Sequence, residues 1–210
     1  MQSKRWIPVV VFLFLNFSQA QDGELEYGLM AGLNLGQFSQ KYPGTTSNNR
    51  FKAAMIAGGY AQTVLHPQLW LRGEFLYTQK GNRIESTYTN NEGDKTIYSN
   101  FLLHYLGLNV TGQYIPVKNL VLYFGPQASY LVSAVWKTSG DTEETSENIT
   151  NDFKPLEIGV IGGISYRFTR NFEVQFRYEF GLSNLFPEQE ASYTMQNRVM
   201  SFILAYNFAD

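Results

Sequence analysis

The 210-residue chain has no cysteine, 16 basic and 18 acidic residues, and 16% aromatic residues. These values exclude a disulfide framework and a thiolate metal centre. Without a clustered basic face they also exclude nucleic acid as a partner, and the length suits one domain.

Residues 1–20 carry Lys4 and Arg5, an apolar run from Trp6 to Phe17, and Ser18-Gln19-Ala20 at a peptidase-type boundary. This three-part layout is that of a secretory signal, with cleavage expected before Gln21. The run is too short to span a bilayer, which takes about 20 apolar residues. No cysteine follows it, so no lipid anchor is expected. Residues 21–210 then form one domain with 14 basic and 18 acidic residues, a formal charge of −4. No later segment reaches 18 consecutive apolar residues, so an exported chain of this kind enters a membrane only as a closed barrel of alternating strands.

The first strand is expected over Leu25–Phe38, with Tyr27, Leu29, Ala31, Leu33 and Leu35 opposite Gly28, Gly32, Asn34 and Gly36. The second, Ala53–Leu65, alternates too weakly to assign its faces. The third, Leu69–Lys80, sets Leu69, Leu71, Phe75 and Tyr77 against Trp70, Arg72, Glu74, Thr78 and Lys80. The fourth, Tyr98–Tyr114, is again ambiguous. The fifth, Leu120–Val135, places Leu122, Phe124, Ala128, Tyr130 and Val132 opposite Gln127, Ser129 and Ser133. The sixth, Leu156–Phe168, places Ile158, Val160, Ile164, Tyr166 and Phe168 opposite Glu157, Gly159, Gly163, Ser165 and Arg167.

Phe172 to Ser183 is the clearest. Phe172, Val174, Phe176, Tyr178, Phe180 and Leu182 oppose Glu173, Gln175, Arg177, Glu179, Gly181 and Ser183, the period of 2 that defines a strand. The last segment sets Met200, Phe202, Leu204, Tyr206 and Phe208 opposite Ser201, Ala205 and Asn207.

The links alternate in length. Three are tight turns at His66-Pro67-Gln68, Pro116-Val117-Lys118-Asn119 and Thr169-Arg170-Asn171; four are long and polar, near 39–52, 82–97, 136–153 and 184–195. An eight-stranded antiparallel up-and-down transmembrane β-barrel in a bacterial outer membrane accounts for this, with short periplasmic turns and long outer loops. The soluble rival is a secreted lipocalin-like ligand-binding barrel, whose apolar faces point inward. Aromatic residues near strand ends (Tyr27, Tyr77, Tyr114, Tyr166, Phe168, Phe172, Tyr206, Phe208) favour the membrane, where they form an interfacial girdle.

With polar faces inward, the lumen holds Arg72, Lys80, Arg167 and Arg177 with Glu74, Glu157, Glu173 and Glu179. Eight strands leave an interior just wide enough for side chains to fill, so a salt-bridged plug is expected and a narrow solute channel is the alternative. No catalytic constellation, metal site or cofactor is expected. His66 sits in a turn, and His104, in Phe101-Leu102-Leu103-His104-Tyr105, reads as a strand histidine. The acidic run Asp141, Glu143, Glu144, Glu147 and Asp152 lacks calcium-loop spacing and reads as solvated charge.

Four motifs together, Gly28-Leu29-Met30-Ala31-Gly32-Leu33-Asn34-Leu35, Glu74-Phe75-Leu76-Tyr77-Thr78-Gln79-Lys80-Gly81, Gly125-Pro126-Gln127 and Arg177-Tyr178-Glu179-Phe180-Gly181-Leu182-Ser183-Asn184-Leu185, resemble the PorT-like outer-membrane barrel family of Bacteroidetes. The resemblance implies an integral outer-membrane barrel of mostly unassigned function, whose namesake is linked to a protein-secretion system. It brings no catalytic residues. Such barrels often finish on an aromatic residue, whereas here Phe208 precedes Ala209-Asp210. The expected role is structural or interactive, through the outer loops, with outer-membrane lipid and envelope or extracellular proteins as partners and a monomeric state.

Overall fold

The computed structural model describes residues 25–41, 49–90, 93–139, 145–186 and 194–208. Within them are nine strands: β1 (Leu25–Lys41), β2 (Asn49–His66), β3 (Leu69–Asn90), β4 (Gly93–Val117), β5 (Leu120–Ser139), β6 (Thr145–Asn148), β7 (Leu156–Arg167), β8 (Phe172–Gly181) and β9 (Thr194–Asn207). Residues 1–20, read as the export signal, lie outside the described residues, as do Asp141, Glu143 and Glu144.

Eight strands pair antiparallel in chain order, β1 with β2 through to β5, then β5 with β7, β8 and β9. β9 returns to β1, with Leu33 opposite Phe202, and closes the ring. Closure gives each of these eight strands two neighbours and leaves no open sheet edge through the barrel body. β6 is an addition to the eight expected strands. It folds back from the long link after β5 and pairs with Val135–Thr138, beside the part of β5 that rises above the start of β7.

Side chains face as the period of 2 requires. Leu29, Leu33, Phe75, Phe124, Ile158, Phe180 and Phe202 are exposed on the outside, with Phe75 at 57%, while their neighbours Asn34, Glu74, Gln127, Glu157, Glu179 and Ser201 are buried inside. A secreted ligand binder would have the opposite polarity, so the lipocalin-like alternative fails here. Both ambiguous strands obey the same rule. β2 sends Ile56, Tyr60 and Gln62 inward, and β4 sends Leu103, Tyr105, Asn109, Thr111 and Gln113 inward.

Three details differ from the sequence reading. Six strands outrun their expected ends: β3 has 22 residues, β4 25 and β5 20, β1 runs on to Lys41, and β2 and β9 begin at Asn49 and Thr194. Nearly all of the link expected at 82–97 is therefore wall, as are both ends of 39–52, while 136–153 and 184–195 each give only one edge to the barrel strands. Val132 is an extra residue on β5, where Tyr105 pairs with Leu131 but His104 pairs with Ser133. This bulge switches the faces beyond it, so Ala134 is buried and Ser133 leaves the inner face assigned to it. The turn between β4 and β5 shrinks to Lys118-Asn119, because Pro116-Val117 still belong to β4; Asn119 has φ 74, a left-handed conformation that asparagine tolerates.

Candidate functional site

The inner face of the barrel is the first candidate. β3 and β8 face each other across the lumen, and their charges meet in the same order along both strands. Nearest the short turns, the Arg72 guanidinium donates twice to the Glu173 carboxylate, at 3.2 and 3.0 Å, and the Arg167 Nε donates to it at 3.3 Å. Next, the Arg177 Nη2 donates to Glu74 at 2.7 Å. Nearest the long loops, the Lys80 ammonium bridges Glu157, at 3.2 Å, and Glu179. All eight charges are thus held in ion pairs, and Arg167, at the turn end, is the most solvated, its side chain 20% exposed.

Neutral side chains link the layers. The Gln175 amide donates to Glu173 at 2.9 Å, and its oxygen accepts from Arg177 at 3.1 Å. Asn109 donates to Glu74 and Asn197 to Glu157, each at 2.9 Å. Gln62 accepts from Arg72 at 2.7 Å and donates to Glu26 at 2.6 Å. Buried carboxylates need such additional donors to offset the loss of hydration.

Each lumenal cation also lies against an aromatic ring. Arg72 sits 4.3 Å from the Tyr60 centroid, Arg167 4.2 Å from Trp70, Lys80 4.9 Å from Tyr105 and Arg177 5.5 Å from Tyr123. Desolvated cation–π contacts contribute about 2 kcal/mol. Sequence reasoning missed these four rings as partners. Trp70 already stood on the polar face of its strand, but Tyr60 and Tyr105 belonged to strands whose faces could not be read.

Above Lys80 the lumen turns apolar. Phe38, Leu103, Tyr105, Leu131, Ala134, Phe153, Leu185 and Met195 form a buried cluster, with Phe101, Ile149 and Phe186 packed on it. Phe153 and Phe186 come from the connections after β6 and β8, and their rings stack 5.1 Å apart. The links fold over the mouth because their backbones extend the wall: Leu131 N–H donates to Pro155, Lys154 N–H to Leu185 and Leu185 N–H to Met195, at 2.7 to 2.9 Å. Between the charged layers lies a cavity of about 10 Å³ lined by Thr78, Asn109, Gln127, Ser129, Arg177 and Glu179. That is room for about one water molecule.

The outer surface is the second candidate. At the turn end Tyr27, Phe208, Tyr206 and Phe172 form a chain of ring contacts at 5.9, 5.4 and 5.1 Å, and Tyr166 meets Phe168 at 5.3 Å. His104 faces outward on β4, where its Nδ1 shares a 2.5 Å hydrogen bond with the Tyr77 hydroxyl. His66 lies at the end of β2, its Nδ1 accepting from Gln68 N–H at 3.4 Å. The two histidines therefore meet neither each other nor the lumenal carboxylates. Glu147 is on β6 and Asp152 in the 3-10 turn that follows. Among the described residues no three His, Asp or Glu side chains gather as a metal site.

The sequence profile of the outer membrane protein beta-barrel domain family matches residues 17–187. Among curated proteins, none matches the sequence. The attachment invasion locus protein Ail of Yersinia pestis superposes with a TM-score of 0.50 at 14% identity, over 88% of this chain and 99% of that one. Neisserial surface protein A superposes with a TM-score of 0.51 at 12% identity, over 87% of this chain and 97% of that one. At these identities the likeness is one of fold.

Proposed function

This chain belongs to the outer membrane protein beta-barrel domain family and is an integral β-barrel of the bacterial outer membrane; on that premise we propose that it is a sealed scaffold whose wall and loops outside the membrane engage an envelope or extracellular protein. One observation carries the reading: the strands that outgrow the membrane stand over a lumen filled from end to end. A tilted strand crosses the hydrocarbon in about 9–11 residues, and β7 and β8, with 12 and 10, do little more. β3 and β4, with 22 and 25, continue as a hairpin paired up to Asn90 and Gly93.

The packed lumen gives the narrow-channel alternative less support than glycine-bearing strand faces did in sequence. On this reading residues 1–20 are removed during export and the mature barrel is monomeric. The PorT-like resemblance adds a link to protein secretion or envelope function.

The test pairs conductance with partner capture. Wild-type protein in a planar bilayer is expected to give no discrete current steps. Excising residues 87–96, which joins the paired Ser86 and Ile97, is expected to abolish partners recovered by cross-linking in intact cells while leaving the barrel folded. Steady conductance by the wild type, together with unchanged partner recovery after the excision, would overturn the proposal.

A further inference from the structure

Four outward-facing positions on adjacent strands form one unbroken row above the apolar belt. Arg50 on β2 is paired with Arg83 on β3, Arg83 with Asn100 on β4, and Asn100 with Lys137 on β5. Directly paired residues of an antiparallel sheet share a face, so three cations stand side by side around Asn100. Lys52 adds a fourth, donating to the Asn100 Oδ1 at 3.4 Å. Arg50, Arg83 and Lys137 are exposed.

Like charges directly opposite one another destabilise a sheet. Here one carboxylate offsets them among the described residues: Glu85, 3.6 Å from Arg50. Arg83 lies instead over the Tyr98 ring, 4.3 Å from its centroid, which orients the guanidinium without neutralising it. A row of this kind calls for negative charge from outside the chain.

Its height says where that charge is. On β3 the outward series Leu69, Leu71, Phe75 passes Tyr77 and Gln79 to Gly81, and on β4 the series Tyr114, Val110, Leu108, Leu106 passes His104 and ends at Leu102, which pairs with Gly81 and with Val135 on β5. Arg83 lies two residues beyond Gly81, about 5 Å higher for a tilted strand rising about 3.3 Å per residue. The headgroup layer begins where the hydrocarbon ends, and long basic side chains reach along the surface to it. The geometry points to a binding site for the phosphates of an anionic outer-leaflet lipid, built from Arg50, Lys52, Arg83 and Lys137 on the β2–β5 face. A site for soluble polyanions would have no need to sit at the hydrocarbon boundary.

Full-length barrel in phosphatidylcholine nanodiscs, carrying spin-labelled phosphatidic acid or spin-labelled phosphatidylcholine, tests the assignment through the immobilised lipid fraction. Wild type is expected to prefer phosphatidic acid. Arg83→Gln/Lys137→Gln is expected to lose about fivefold of that preference for each charge removed, while the charge-conserving Arg83→Lys/Lys137→Arg retains it. The single variants carry the test if the double variant loses its heat-shifted band on a gel. A parallel titration of detergent-solubilised barrel with tripolyphosphate separates the sources. Lipid preference unchanged by the neutral substitutions, or lost tripolyphosphate binding with lipid preference intact, overturns the lipid assignment.

Discussion

Lys80 offers the sharpest perturbation of the lumen. Its ammonium is fully buried, pairs with both Glu157 and Glu179, and lies over the Tyr105 ring. Lys80→Met conserves most of the volume but leaves two carboxylates facing each other without their cation. Breaking a buried pair from one side costs about 3–5 kcal/mol, because the remaining charge is stranded. For a chain of this size each kcal/mol moves the thermal midpoint by about 2–4 °C, giving an expected fall of about 6–20 °C. The assay is the temperature at which the folded gel band converts to the slower unfolded one. The triple variant Lys80→Met/Glu157→Gln/Glu179→Gln removes the stranded charges and is expected to recover most of the loss. A single variant as stable as wild type, or a triple variant no better than the single, would refute the ion-pair account of the lumen.

Other expectations follow from the same geometry. Gly125 faces inward where β5 crosses close to β4, and a Cβ there would meet the Val110 carbonyl oxygen and, at 2.9 Å, the Thr111 Cα. Since backbone cannot swing aside as a side chain does, Gly125→Ala is expected to cost about 1–3 kcal/mol or more, read as a lower thermal midpoint in the same gel assay. Phe75→Arg puts a charge on the lipid face and is expected to cost about 2–4 kcal/mol if the position is near the midplane, measured by chemical unfolding in lipid vesicles. Phe153→Ala, at the apolar lid, is expected to cost about 3–5 kcal/mol in the same unfolding experiment while bilayer recordings stay silent, because the ion-paired layers beneath remain.

The barrel was legible in sequence where the two faces of a strand differ in kind. β8 alternates Phe, Val and Tyr with Glu, Gln and Arg, so period and facing read directly. β2 hides its facing because its lipid side carries Ala53, Ala57, Gly59 and Ala61 while its lumen side carries Ile56 and Tyr60, which fill space beside Met30 and Leu76. β4 is obscured by Leu103 and Tyr105, inward residues of the lid. The strand extensions read as loops because, outside the membrane, the outer face of the wall is polar and the inner face mixes polar with apolar residues; buried Asn82 and outward Arg83, Glu85 and Asn100 leave no apolar alternation. Which lumenal charges meet depends on the stagger of β3 against β8 around the closed ring, and no single strand's pattern encodes that.

The central claim is that one face of each strand touches hydrocarbon and the other a filled lumen. The chain has no cysteine, so single cysteines can be placed along β8 without background and labelled with a fluorophore in vesicles whose lipid chains carry a quencher. Strong quenching at 174, 176, 178 and 180, with little at 175, 177 and 179, is the predicted result. Equal quenching at both sets, or stronger quenching at the odd positions, would contradict the account.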